Sequence, residues 1–150
     1  MGPTAIVVSI ALLLACLCLT YLAVRRVRLM RGGGVDACLR RRPAGVLRDV
    51  TAGWHFGVGR YRGDELAWYR LTSLRIGPSM VLDRTRLEIV GRRAPFEGEA
   101  YVIPDAANVL HCRVDGQDVE LAMTSEVLTG FLSWLEAAPP GHVEFYRRAG

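Results

Sequence analysis

The chain has 150 residues, 51% hydrophobic and 23% charged, with a formal net charge of +4 and a pI near 9.2. That length holds one domain, or one small domain with an added element. The apolar share excludes a disordered chain, and the scattered Gly and Pro exclude collagen-like and low-complexity polymers. All nineteen basic residues are Arg, so their positions decide what the basic pI means.

Thr4 to Val24 contains no charged residue over 21 positions. As a helix this run is about 31 Å long, enough for a hydrocarbon core of about 30 Å. Tyr21 lies near one end, where membrane interfaces favour aromatic rings. The run is read as a transmembrane helix over residues 1–24. A core helix of a soluble protein is the alternative, but such a helix rarely stays apolar on every face. An exported reading is a second alternative, because Leu13-Leu14-Ala15-Cys16 matches a bacterial lipobox by letter. It lacks the basic residues that precede the apolar run of a signal peptide. Ala11 and Ala15 have the small-residue spacing that lets helices pair.

Arg25, Arg26, Arg28 and Arg31 follow at once, then Arg40, Arg41 and Arg42, against Asp36 alone, a net of +6 over 25–42. Residues 43–150 hold twelve Arg and fourteen acids, a net of −2. The basic pI therefore belongs to the stretch after the span, and no nucleic-acid partner is expected. By the positive-inside bias, these seven Arg place the N-terminus outside and the C-terminal domain in the cytoplasm of a single-pass protein. They also attract an anionic bilayer surface, at about 1 kcal/mol each. Gly32-Gly33-Gly34 reads as a flexible break, and 25–50 as a basic juxtamembrane tether.

Residues 51–138 read as a mainly β domain closed by one helix. Alternation and turn residues mark seven strands: Trp54–Arg62, Glu65–Ile76, Met80–Asp83, Leu87–Arg92, Tyr101–Ile103, Val109–Val114 and Asp118–Met123. The period then changes. Val127, Leu128, Phe131, Leu132 and Leu135 share one helical face, Ser125 suits the N-cap, and Pro139-Pro140-Gly141 stops the helix. Residues 139–150 read as a flexible tail. Seven antiparallel strands and a C-terminal helix resemble the pleckstrin-homology-like fold, a bent sandwich or barrel with one end plugged by the helix. Trp134 matches the Trp such helices carry, a structural role. Another small barrel or sandwich of about 100 residues is the alternative, and either buries enough surface to fold alone.

The stretch GWHFGVGRYRGDELAWYRLTSLRIGPSMVLDRTRLEIVGRRAP, from Gly53 to Pro95, together with FLSWLE at Phe131 to Glu136, resembles the actinobacterial family called domain of unknown function 2550. The resemblance covers nearly the whole chain. It implies a protein of similar length with one N-terminal apolar segment, often encoded beside ATP synthase genes. The family has no established activity, so the resemblance supplies no catalytic residues.

The residues themselves offer little catalytic chemistry. Cys16 and Cys18 lie in the apolar run, Cys38 in the expected tether and Cys112 in a strand, with no Cys-x-x-Cys pair for zinc. His111 and Cys112 are adjacent in a strand and point to opposite faces. His55 and His142 stand alone. Gly57-Val58-Gly59 with Gly63 approaches a dinucleotide fingerprint but opens no helix, so the glycines are read as packing or bend positions. Glu126 and Glu136 are ten apart and form no carboxylate pair. No metal, no cofactor and no enzymatic activity are expected.

One charge asymmetry remains. Residues 54–93 carry a net of +4, and residues 94–150 a net of −6. Arg60, Arg62 and Arg70 surround the Gly63-Asp64 turn, and planar guanidinium forks suit phosphate. Three functions follow: a non-enzymatic adaptor for a membrane-protein partner, an anionic phospholipid reader through Arg60, Arg62, Arg70 and the tether, or, remotely, a small membrane-bound enzyme.

Overall fold

The computed structural model describes residues 2–42 and 51–137. The expected tail, with His142, Arg147 and Arg148, lies outside them. The described elements are α1 (Pro3–Arg31), β1 (Val35–Arg41), β2 (His55–Arg62), β3 (Glu65–Arg70), β4 (Met80–Asp83), β5 (Leu87–Arg93), a 3-10 turn (Glu99–Tyr101), β6 (Ala107–Val114), β7 (Gln117–Thr124) and α2 (Ser125–Glu136).

Pro3 opens α1, where its missing N–H costs nothing. No residue in the apolar stretch of this helix is buried, and the stretch is long and apolar enough to cross a membrane. The helix does not stop at the first Arg. It runs six residues further, to Arg31, and its last turn buries Leu29 against Val58, Ala67 and Tyr69.

The expected tether is the main correction. Gly32-Gly33-Gly34 is a tight helix-to-strand turn, in which Gly33 has φ +80° and Gly34 N–H donates to Leu29 O at 3.1 Å. A Cβ on Gly34 would lie 2.6 Å from both that oxygen and Val58 Cγ1, so only glycine brings the backbones this close. Residues 35–41 then form β1, the central strand. The sheet order is β4-β3-β2-β1-β7-β6-β5, with every neighbouring pair antiparallel. Val35, Ala37, Leu39 and Arg41 alternate with Asp36, Cys38 and Arg40, the two-residue period of a strand.

The strand count of seven stands, but its membership differs. Tyr101–Ile103 is no strand: the backbone coils there, with Val102 and Ile103 N–H both donating to Glu99 O. The second expected strand ends at Arg70, six residues early, because β4 pairs only back to Trp68.

The sheet curls into an antiparallel half-barrel with two distinct faces. The concave face holds the main core, where Leu39, Leu66, Trp68 and Leu121 meet Leu128 and Phe131 of α2. Trp68 lies flat against Gly57, where any Cβ would fall 2.2 Å from the indole. That close approach, rather than a nucleotide, explains the glycine of the near-fingerprint. The convex face is covered in two places. The end of α1 lies on β2 and β3, and Trp54 with Ile103 covers Cys38, Val109 and Ala122.

Beneath that second cover lies a sealed ion cluster. Arg40, Glu99 and Glu120 are 1%, 0% and 1% exposed. Arg40 Nε donates to Glu120 at 2.8 Å and its Nη2 donates to Glu99 at 2.9 Å. Arg93 donates to Glu99 at 2.6 Å and to Glu120 at 3.1 Å. The Trp54 indole N–H and the Phe96 N–H complete Glu99. Arg42 Nη1 also lies 3.9 Å from Glu120 Oε1, so cations surround both buried carboxylates, as buried charges require.

Candidate functional site

The half-barrel has two ends. β2 runs from His55 to Arg62 alongside the last turns of α1. Arg25 donates to the carbonyls of Arg70 and Ser73, whereas Gly32 O accepts from Arg60 at 3.4 Å. The near end, where α1 arrives, therefore carries His55, Arg70 and the C-terminus of β1. The far end carries Arg60, Arg62 and the Gly63-Asp64 turn.

α2 closes the far end. The Trp134 indole donates to Gly63 O at 2.8 Å, and its ring packs on Tyr61 at 5.3 Å and Phe131 at 5.8 Å. Arg84 stacks 5.6 Å over the same ring and donates to Trp134 O at 2.8 Å. Trp134 thus fastens the helix to the β2–β3 turn.

The near end stays open. A cavity of about 410 Å³ is lined there by Arg41, His55, Trp68, Arg70, Arg75 and Ser79, among others, with no acidic side chain among the described residues that line it. Arg70 Nε reaches only Thr72 Oγ1, at 3.1 Å, and Arg41 and Arg75 make no side-chain hydrogen bond or ion pair among the described residues. Burial, then the Arg70 guanidinium, push the His55 pKa below its ordinary value. The ring is therefore neutral at pH 7, and an arriving anion would favour its protonated form. Three guanidinium forks, with no carboxylate among the described lining residues, have the chemistry that suits an anion.

Comparison with known sequences bears on what this arrangement belongs to. The model of the family described as "Protein of unknown function (DUF2550)" matches residues 11–141. The chain belongs to the DUF2550 family. Uncharacterised proteins of Mycobacterium tuberculosis, in strains CDC 1551 and H37Rv, are each 40% identical over 142 residues. The match spans 89% of this chain and 88% of each relative. An uncharacterised Mycobacterium leprae protein is 39% identical over the same shares.

In this DUF2550 chain the three Arg read as one constellation, Arg60, Arg62 and Arg70, do not meet. Arg60 pairs with Ala67 and Arg62 with Glu65, whereas Arg70 pairs with Gly57. Paired residues point the same way, so Arg60 and Arg62 lie on the convex face and Arg70 on the concave one. Arg62 donates to Tyr69 Oη at 3.0 Å. Sequence proximity to a turn hid this, although the two-residue period along β3 separates them.

The run Arg25 to Arg42 also divides. Arg25 is bound to the β3 end, and Arg26 lies 3.6 Å from Asp36. Arg28, Arg31, Arg41 and Arg42 are exposed. Arg40 is a correction: it is sealed in the ion cluster and cannot touch a membrane surface. Arg41, one residue on, enters the cavity. The alternation from Val35 to Arg41 was the available signal for both, and the three consecutive Arg masked it.

Other candidates resolve simply. His111 faces Asp118 at 3.4 Å on the convex side, and Cys112 is buried in the concave core. Burial pushes the Cys38 and Cys112 thiols up to about 12, which removes nucleophilic thiolate at neutral pH. Among the described residues no three His, Cys, Asp or Glu side chains gather as a metal site.

Proposed function

We propose that this chain is a single-pass, non-enzymatic membrane protein whose half-barrel binds anionic phosphate headgroups in the Arg41–His55–Arg70–Arg75 cavity. The anchor is α1, whose uncharged stretch has no buried residue and matches the thickness of a hydrocarbon core. The Arg excess after it favours an outside N-terminus and a cytoplasmic domain. The strand order supports the pleckstrin-homology-like reading, with two meanders, β1–β4 and β5–β7, side by side and a C-terminal helix over one end.

One observation carries the headgroup reading: a cavity with three Arg, and no acid among its described lining residues, opens at the end of the sheet nearest the span. Arg25, the first cation after the uncharged run, bonds to the backbone of Arg70 and Ser73. The cavity thereby lies within reach of lipid phosphates, whereas Arg60 and Arg62 point away at the far end.

The test is a titration of the full chain in neutral detergent micelles with glycerophosphoglycerol, read on the Trp68 indole resonance. A saturable shift is expected, weakened at least about tenfold by Arg41→Gln with Arg75→Gln, since a hydrogen bond to a charged group contributes about 1.5–3 kcal/mol. Binding should also fall with added salt. No saturable shift would overturn the headgroup reading and leave the adaptor reading, a protein docked on the same anchored module.

A further inference from the structure

A second opening lies on the convex side, between α1 and the segment joining β3 to β4. It encloses about 530 Å³. Leu17, Tyr21, Val24 and Ile76 line one part of it, and Arg25 and Arg28 another. Leu17 and Arg25 are about 12 Å apart along the helix axis, so the opening is apolar at one end and cationic at the other.

Two features of this opening have no partner among the described residues. Arg25 uses Nη1 on the Arg70 and Ser73 carbonyls, but its Nη2 is buried without a hydrogen bond. A buried donor left unmade costs about 1–3 kcal/mol. The Arg28 side chain likewise makes no hydrogen bond or ion pair among the described residues. On the apolar side, Ile76 is 90% exposed and Leu74 60%. Ile76 lines the opening beside Leu17 and Val24, within the uncharged run of α1.

We infer that this groove holds one anionic phospholipid, with its phosphate on Arg25 Nη2 and Arg28 and an acyl chain along Leu17, Val24 and Ile76. The inference rests on α1 crossing the bilayer, and not on the half-barrel cavity. Whatever surrounds α1 at Leu17 also surrounds Ile76, and around an uncharged, unburied helix that is hydrocarbon. Phosphates begin where the hydrocarbon ends, at the level of the first Arg. The groove repeats that order along its length, and guanidinium forks complement phosphate oxygens. The exposed Ile76 is then solvated by lipid.

The test uses the full chain in nanodiscs of equal phosphatidylglycerol and phosphatidylcholine, released into mild detergent for native mass spectrometry. With the half-barrel cavity emptied by Arg41→Gln and Arg75→Gln, the chain should still retain one phosphatidylglycerol in preference to phosphatidylcholine. Arg28→Gln and Ile76→Asp should each reduce retention at least fivefold, while the buried Cys38 and Cys112 thiols stay unreactive. Arg60→Gln, at the far end of the half-barrel, should leave retention unchanged. Equal retention of both lipids, or retention unaffected by Arg28→Gln, overturns the inference. If emptying the half-barrel cavity by itself abolishes retention, the lipid sits in that cavity; the groove inference then falls and the headgroup reading stands. A lipid-free dimer would make the groove a helix-pairing face and overturn the inference as well.

Discussion

Arg40 and Arg41 are neighbours in sequence and opposites in environment. Arg40 points to the convex face, into a sealed cluster where two Arg meet two Glu. Arg41 points to the concave face, into an open cavity with two more Arg and no acid among the described residues. The pleat of one strand separates them. The first arrangement spends its charge on the fold, and the second leaves its charge available to a ligand. Buried ions removed singly should therefore cost stability, and cavity ions removed singly should cost binding alone.

The largest expected effect concerns β1, which feeds both sites. A fragment spanning residues 43–150 loses the central strand and should not fold, whereas a fragment beginning at Arg25 should. Far-UV circular dichroism and amide dispersion distinguish the two; a folded 43–150 fragment would contradict the strand order.

Next is the sealed cluster. Glu99→Gln leaves Arg40 and Arg93 undercompensated in a dry site and should destabilise by about 3–5 kcal/mol, as breaking a buried pair does. Denaturant titration of a fragment from Arg25 measures it, and a loss below 1 kcal/mol would show the cluster to be wet.

The pH dependence follows from the same carboxylate. Burial alone would raise the Glu99 pKa, but hydrogen bonds from Arg93, the Phe96 N–H and Trp54 outweigh it and hold it at about 2, from an ordinary 4.5. A pKa depressed in the folded state stabilises above the unfolded value and loses that contribution as pH falls. Stability should decline between about pH 4.5 and 2, and Glu99→Gln should flatten that decline. An acid limb unchanged in the variant would assign it to other carboxylates.

The smallest stability effect sharpens the contrast. Arg41→Gln should change unfolding free energy by no more than about 0.5 kcal/mol, as at surface sites, while weakening headgroup binding. Arg60→Gln and Arg62→Gln, at the far end, should leave headgroup binding unchanged. If they weaken it as much as Arg41→Gln does, the two ends of the half-barrel are not functionally distinct.

Much of the fold was legible because its signals are local. The uncharged run, the β2–β3 hairpin at Gly63-Asp64, the β6–β7 hairpin at Asp115-Gly116 and the apolar face of α2 each depend on residues within one element. β1 was hidden because its alternation ends in three consecutive Arg, which read as one membrane-facing block when parity is ignored. Tyr101–Ile103 misled in the other direction: three strand-forming residues have no partner strand, and local coiling around Glu99 satisfies the backbone instead. The candidate site was barely legible. Arg41, His55, Arg70 and Arg75 come from β1, β2, β3 and the following segment, so no spacing along the chain announces them.

By itself the sequence determined the apolar helix, the strand-rich domain and the closing helix, because hydrophobic period and turn chemistry act over a few residues. Only the tertiary structure decided which Arg are neutralised and which are free. That depends on register and strand order, which bring Glu99 and Glu120 to Arg40 and pair Arg41 with Val119 on the opposite face. The curl of the sheet then leaves one end open beside α1 while Trp134 closes the other.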